Sequence, residues 1–142
     1  MRSFKDFEEA VFNRKEGYIP LYEHGVDLPI IEKIMGFDFS EYDFSTMSGR
    51  LGVWSKIIQF YDQMGYLYVP VELRPDFAPM QYQVASDRGW VNEQTGPIQS
   101  WEDLNNPEHW PPIEKAFDYE LFRQIGELLP GHMKIIGGAS GG

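Results

Sequence analysis

One stretch of the chain, residues 51–73, constrains the fold more than any other. Its first half spaces apolar residues three or four positions apart, so they share one face of a helix: Val53, Trp54, Ile57, Ile58, Tyr61 and Met64. Gly65 follows where helices commonly end in a left-handed residue. Residues 66–71 are aromatic, β-branched and almost continuously apolar, which is typical of a strand buried on both faces of a parallel sheet. The stretch therefore predicts one α/β unit: a helix, a short break and a buried strand.

The rest of the chain repeats this alternation of helix and strand. Two further apolar runs predict strands at residues 18–22 and 133–136. The spacing of Ser100 and Asp103 is that of a capping box and predicts a short helix. Residues 37–50 are expected to form a loop with short helical turns, and residues 80–91 a small hairpin. Start and stop signals predict three more helices, running from Ser3 to Gly17, from Asp27 to Gly36 and from Asp118 to Gly131.

Helix and strand thus alternate three times, which predicts an α/β fold with parallel strands joined by right-handed crossovers. A (β/α)8 TIM barrel needs eight such strands and typically about 250 residues. The chain has 142 residues, enough for one domain with a real core. We therefore expect residues 1–142 to form a partial barrel domain, the N-terminal portion of about three β/α units, truncated at its C-terminal side.

Charge and composition exclude several classes of function. Twelve basic residues against 22 acidic ones give a net charge of −10, which disfavours nucleic acids and acidic membranes as partners. The absence of cysteine excludes disulfides and thiolate metal sites within this chain. The charged N-terminus does not resemble a signal peptide, and no apolar run approaches the ~20 residues of a membrane span. These features predict a cytoplasmic protein.

A set of short motifs follows the predicted elements in a characteristic order and spacing. They lie at residues 19–23 (IPLYE), 60–61, 64–72 (MGYLYVPVE), 96–103 (GPIQSWED), 110–111 and 133–138 (MKIIGG). In this order they resemble the N-terminal part of the uroporphyrinogen decarboxylase superfamily, which also contains cobalamin-dependent methyltransferases. The resemblance covers most of residues 10–142. It implies a single (β/α)8 barrel that acts on a corrinoid, a tetrapyrrole or a related methylated compound.

The stretch after the first predicted strand separates two branches of this superfamily. In the decarboxylases an arginine-rich signature at this place grips the substrate carboxylates, whereas residues 23–29 of this chain, EHGVDLP, contain no arginine. The resemblance therefore implies corrinoid-linked methyl transfer from a small methylated substrate, with decarboxylation of uroporphyrinogen or a related tetrapyrrole as the alternative. The methyltransferase branch holds zinc through histidine and cysteine ligands in its later half. We accordingly expect no cofactor or metal bound by this chain alone, a corrinoid with zinc in the intact enzyme, and a corrinoid protein as a partner.

Active sites of (β/α)8 barrels lie at the carboxyl ends of the strands, so the residues that follow each predicted strand are the candidates. Histidine titrates near neutral pH and suits proton transfer, as carboxylates also do. The expected catalytic residues are Glu23, His24 and Glu72. The expected substrate-binding residues are Asp27, Arg74, Asp76, Gly137 and Gly138.

Each candidate also has a purely structural interpretation. His24 could bond a loop carbonyl, and Asp27 could cap the helix that follows it. Glu72 could pair with Arg74 at the surface. Residues 137–142 include the G-x-x-x-x-G spacing of a phosphate loop but lack its lysine and its helix, so close approach of the backbone to a ligand is the more ordinary role for these glycines. The competing class of function is a non-catalytic α/β module that self-associates through unpaired strand edges.

Overall fold

A computed structural model of the chain describes residues 2–14, 16–73, 98, 100–107, 110, 112, 114 and 117–139. The chain divides into two compact units. The first unit comprises Met1–Leu73 and Asp118–Ala139, and the second comprises Arg74–Phe117 and Ser140–Gly142. The hairpin predicted at residues 80–91 lies outside the described residues, as do two predicted site residues, Arg74 and Asp76.

The described elements form a mixed α/β fold, as predicted. In chain order they are α1 (Phe4–Val11), α2 (Leu28–Met35), a short 3-10 helix (Phe39–Glu41), α3 (Met47–Gln63), β1 (Tyr68–Leu73), α4 (Trp101–Asn105), α5 (Tyr119–Leu128) and β2 (Lys134–Ala139). Helix α4 belongs to the second unit and all the other elements to the first.

Strands β1 and β2 pair in parallel and form a two-stranded sheet. The register begins with Tyr68 opposite Lys134 and places Glu72 opposite Gly138. Because both strands run in the same direction, their carboxyl ends meet at one edge of the sheet. We call this edge, defined by Glu72 and Gly138, the carboxyl edge.

The hydrophobic core lies between this sheet and the helices of the first unit. Helix α3 packs against β1 and against α5, and α2 packs against α3. The predicted apolar face of α3 supplies three buried residues, Val53, Ile58 and Tyr61. The remaining buried members of the main core are Ile31, Phe39, Phe60, Val69, Val71, Ile125 and Met133. Side chains from the sheet and from helices α2, α3 and α5 therefore share one core.

Several of the predicted helix ends are confirmed by local hydrogen bonds and backbone angles. The Asp118 side chain accepts a hydrogen bond from the Leu121 amide at the start of α5, 2.9 Å away. In the second unit, the Ser100 hydroxyl accepts one from the Asp103 amide at the start of α4, 3.1 Å away. Gly36 closes α2 with φ 69°, the left-handed conformation that glycine adopts at little cost.

The prediction of a strand at residues 18–22 is wrong. These residues have no regular secondary structure, and the described part of the sheet has two strands instead of three. Pro20 lacks the N–H that a sheet ladder requires. Ile19, an apolar residue in the middle of this segment, is 89% exposed. The next residue after the segment, Glu23, bonds a side chain of β1 instead of a neighbouring strand.

Two helix boundaries also differ from those predicted. Helix α1 ends at Val11 and not at Gly17, because the chain turns at Asn13, which has a φ of 54°. Helix α3 begins at Met47, inside the segment predicted as loop, because Thr46 caps it: its hydroxyl accepts a hydrogen bond from the Gly49 amide, 3.1 Å away.

Candidate active site

The site is built on the last residues of the two strands. Glu72 lies next to last in β1, opposite Gly138 of β2, so both reach the carboxyl edge. The Glu72 side chain is about one quarter exposed, at 26%. Among the described residues, no atom lies within 4 Å of the position that a Cβ would take on Gly138. The edge thus offers one carboxylate beside an accessible stretch of backbone.

His24 reaches this edge from the loop formed by residues 22–27, which we call the rim loop. Its Nε2 atom contacts Oε1 of Glu72, and its side chain is otherwise 75% exposed. Its other ring nitrogen, Nδ1, lies 3.5 Å from the Tyr22 hydroxyl. The structure therefore brings together two of the three predicted catalytic residues, with one imidazole nitrogen on a carboxylate and the other directed away from it.

Glu23, the third predicted catalytic residue, makes two kinds of contact. Its carboxylate accepts a hydrogen bond from the backbone amide of His24, 3.0 Å away. Its own backbone is bound by the hydroxyl of Tyr68 in β1: the Glu23 amide donates to this hydroxyl at 2.5 Å, and the hydroxyl donates to the Glu23 carbonyl at 2.8 Å. Glu23 therefore shapes the rim loop through both its side chain and its backbone.

A cluster of aromatic rings lies around Tyr68. Its ring centroid is 5.3 Å from that of Phe7, 5.7 Å from that of Tyr22 and 5.9 Å from that of Tyr66. Burial raises the pKa of the Tyr68 hydroxyl, while its hydrogen bond to the Glu23 backbone lowers it in part. The hydroxyl consequently stays protonated at neutral pH and remains able to donate.

Tyr61 contributes a second buried hydroxyl to this region. Within the part of the chain that the structure describes, this hydroxyl has no hydrogen-bond partner. Burial is the main cause that raises its pKa well above the usual range, with Tyr68, Tyr66 and Glu23 adding to the effect. The Val26 backbone has the smallest effect and lowers this pKa, but its geometry relative to the Tyr61 hydroxyl is not that of a hydrogen bond. Such an orphan hydroxyl is costly and unusual in a folded core.

The remaining predicted substrate-binding residues have different surroundings. Asp27 occupies the N-cap position of α2, where its backbone carbonyl, and not its side chain, accepts from the Ile30 amide at 2.9 Å. A Cβ on Gly137 would lie 3.3 Å from the Phe122 ring, so this glycine allows α5 to pack closely on β2. Close packing thus accounts for Gly137, whereas no described residue packs against the corresponding position of Gly138.

Sequence reasoning missed the contribution of Tyr68 because it lies inside a run that predicts a buried strand. The alternation of side chains along a strand was the available signal, since it places Tyr68 and Glu72 on the same face. His132, which is not among the predicted site residues, bonds the Asp62 carboxylate through Nε2 at 2.9 Å. Its carbonyl also accepts from the Phe4 amide at 2.8 Å, so His132 ties α1 and the end of α3 to the start of β2.

Among the described residues, no group of three or more histidine, cysteine, aspartate or glutamate side chains comes together, and the chain contains no cysteine. Also within the described residues, no helix combines the length and apolar character needed to cross a membrane.

The fold and the site together define an α/β chain with a histidine–carboxylate pair at the carboxyl edge of a parallel sheet. No family model matches the chain, and no curated protein or solved structure matches it. The assignment to a superfamily therefore stays a prediction from the sequence motifs.

Proposed function

We propose that this chain forms part of the active-site rim of a uroporphyrinogen decarboxylase-like (β/α)8 barrel, which transfers a methyl group from a small methylated substrate to a corrinoid. The observation that carries the proposal is the contact between His24 and Glu72 at the carboxyl edge. This is the end of the sheet at which barrel enzymes place their catalytic groups. Gly138 lies beside the pair, at a point where a ligand could approach the backbone closely.

The pair is suited to the proton transfer that demethylation requires. When a methyl group leaves, the bond between carbon and its heteroatom breaks, the electron pair stays on the heteroatom, and the heteroatom then takes a proton. The methyl-accepting corrinoid is a second substrate, carried by a partner protein, and supplies the electron pair for the new bond. In this scheme Glu72 holds Nε2 of His24 and orients the ring, while Nδ1 exchanges its 3.5 Å contact with the Tyr22 hydroxyl for the leaving heteroatom and donates the proton to it.

The charge of the rim favours this substrate class over a porphyrinogen. Glu23, Asp27 and Glu72 all lie on or beside the rim loop, and each carries a carboxylate. A polycarboxylate placed here would make several close contacts between like charges, screened by solvent but all unfavourable. A neutral or cationic methylated compound meets no such repulsion. The proposal keeps the cytoplasm as the location of the protein.

The test is an assay of methyl transfer by protein purified from the complete reading frame. Methylated amines, thiols and ethers are offered in turn with cob(I)alamin, and formation of methylcobalamin is followed by its absorption spectrum. Because general acid catalysis typically contributes about 10²–10⁴-fold, we expect His24→Gln to lower the rate by a factor in that range. Glu72→Gln should lower the rate as well. Glu127→Gln is the matched control, since it removes a carboxylate that pairs with Arg123 on α5.

Three outcomes would overturn the proposal. One is full activity in both His24→Gln and Glu72→Gln. The second is loss of acetate carboxyl groups from uroporphyrinogen in a parallel assay, which would assign the protein to the decarboxylase branch. The third is the absence of both activities in correctly folded protein, which would favour the non-catalytic α/β module.

A further inference from the structure

The hydroxyl of Tyr68 bonds both backbone groups of one residue, the amide and the carbonyl of Glu23. A tyrosine hydroxyl can do this because it donates one hydrogen bond and accepts others. The N–H and C=O of a single residue point to the same side only when that residue is extended, as in the hydrogen-bonded pairs of an antiparallel ladder. Tyr68 therefore takes the place that a neighbouring strand would have and fixes the backbone of Glu23 at both of its polar groups.

The same strand holds the rim loop at a second point. Tyr68 and Glu72 are four residues apart in β1, so they share one face and their Cα atoms are separated by about 13 Å. Tyr68 binds the backbone of Glu23, and Glu72 contacts the imidazole of the next residue, His24. Two consecutive loop residues are thus anchored to two side chains of one rigid strand.

Tyr68 is well suited to act as the fixed anchor of this pair. It is fully buried, at 0% exposure, and is packed among the rings of Phe7, Tyr22 and Tyr66. A ring enclosed in this way has few alternative rotamers, so its hydroxyl occupies a defined position. His24, by contrast, is mostly exposed and would otherwise sample many orientations.

We propose that Tyr68 is a positioning residue of the candidate site: by fixing the backbone of Glu23, it holds the imidazole of His24 against Glu72. The inference rests on the proposed function for the chemical role of His24. The contact itself can be measured without any enzymatic activity, so failure of the methyl-transfer assay leaves this test intact.

The test uses the ¹⁵N resonances of the His24 imidazole in the full 142-residue chain, assigned with a His24→Gln variant. Glu72→Gln is expected to shift these resonances, because it replaces a charged acceptor with a neutral amide. Tyr68→Phe keeps the buried ring and removes only the hydroxyl. We expect it to shift the His24 resonances in the same direction. Once Tyr68→Phe is present, Glu72→Gln should have little further effect, and this non-additivity is the signature of a shared contact.

Hydrogen exchange gives a second, independent readout. The Glu23 amide donates to the Tyr68 hydroxyl, so Tyr68→Phe should accelerate its exchange by about tenfold, the scale of one net hydrogen bond. Tyr66→Phe is the matched control, because it removes a hydroxyl from the same aromatic cluster without touching Glu23. If Tyr68→Phe does not fold, a Tyr68→4-aminophenylalanine variant takes its place, since its amino group donates to the Glu23 carbonyl but accepts poorly from the amide.

The inference is overturned if the effects of Glu72→Gln on His24 are equal with and without the Tyr68 hydroxyl. It is also overturned if the Glu23 amide exchanges at the same rate in Tyr68→Phe, Tyr66→Phe and the unmodified chain. Non-additive shifts together with faster exchange in Tyr68→Phe alone would establish it.

Discussion

Two glycines in helices of the first unit are expected to respond to alanine in opposite ways. Gly49 is the third residue of α3, and a Cβ added there would overlap the carbonyl oxygen of Asp43 and lie 2.6 Å from its carbonyl carbon. Asp43 cannot move away cheaply, because its carbonyl accepts from the Thr46 amide at 3.1 Å and from the Thr46 hydroxyl at 3.0 Å. The turn that starts α3 is therefore built around the absence of a side chain at position 49.

The competing effects at Gly49 have comparable sizes, so their sum decides the sign. Alanine in a helix interior is favoured over glycine by about 0.5–1 kcal/mol. Forcing extra atoms into a packed site costs about 1–3 kcal/mol. Loss of the N-cap bond from the Gly49 amide to Thr46 would add about 1 kcal/mol. We expect Gly49→Ala to lower the free energy of unfolding by about 1–3 kcal/mol.

Gly126 in α5 is the matched control. It is exposed, and the nearest atom to an added Cβ is Cδ1 of Ile135 at 3.8 Å, an ordinary contact distance. Gly126→Ala should therefore raise the free energy of unfolding by about 0.5–1 kcal/mol. Urea unfolding followed by far-ultraviolet circular dichroism measures both changes as shifts of the midpoint at constant slope. A Gly49→Ala variant as stable as the unmodified chain would refute the reasoning.

Three further predictions concern acid stability, the core and association. The hydrogen bond from the Leu121 amide, helped by Arg50, lowers the pKa of Asp118 below its ordinary value of 3.8, so the Asp118 carboxylate stabilises the fold fully above that value and loses this effect as the pH falls through the lowered pKa. In urea unfolding, the stability that Asp118→Asn loses should therefore shrink towards zero on acidification. An equal loss at every pH would contradict this. Tyr61→Phe removes a buried hydroxyl that has no described hydrogen-bond partner, so calorimetry should find the free energy of unfolding unchanged or raised by up to about 1 kcal/mol. A decrease of more than about 1 kcal/mol would contradict this and indicate that the hydroxyl has a hydrogen-bond partner. The two-stranded sheet leaves strand edges open among the described residues, so light scattering coupled to size exclusion should detect species larger than a monomer, whereas a single sharp monomer peak would refute self-association.

The features that the sequence predicted well are those that local hydrogen bonding decides. Asp118 and Ser100 cap the helices that follow them, and Gly36 and Gly65 take positive φ values of 69° and 85° where helices were expected to end. Each of these signals depends on residues within one turn of the chain. The parallel pairing of β1 and β2 was also predicted, because continuous apolar runs separated by helical segments favour that arrangement.

The features that were predicted incorrectly depend on which of several hydrogen-bond partners the backbone finds. Residues 18–22 have the composition of a strand, yet Pro20 removes a donor and the adjoining Glu23 finds both of its partners in one tyrosine hydroxyl. The start of α3 was missed for a related reason. Thr46 follows a polar, serine-rich segment that is typical of a loop, and its role as a cap depends on the turn that Asp43 forms ahead of it.

The candidate site shows the same division between what strand topology specifies and what a single atom specifies. The parallel direction of β1 and β2 is enough to bring Glu72 and Gly138 to the same end of the sheet. Strand direction alone does not produce the contact between His24 and Glu72, because the rim loop is joined to β1 through the hydroxyl of Tyr68, 45 residues away from Glu23 in sequence. A chain with phenylalanine in place of Tyr68 would have the same apolar pattern and the same predicted strand, but it would lack the group that binds both sides of the Glu23 backbone. The geometry of the pair is therefore specified by one oxygen atom buried in what the sequence presents as an ordinary core strand.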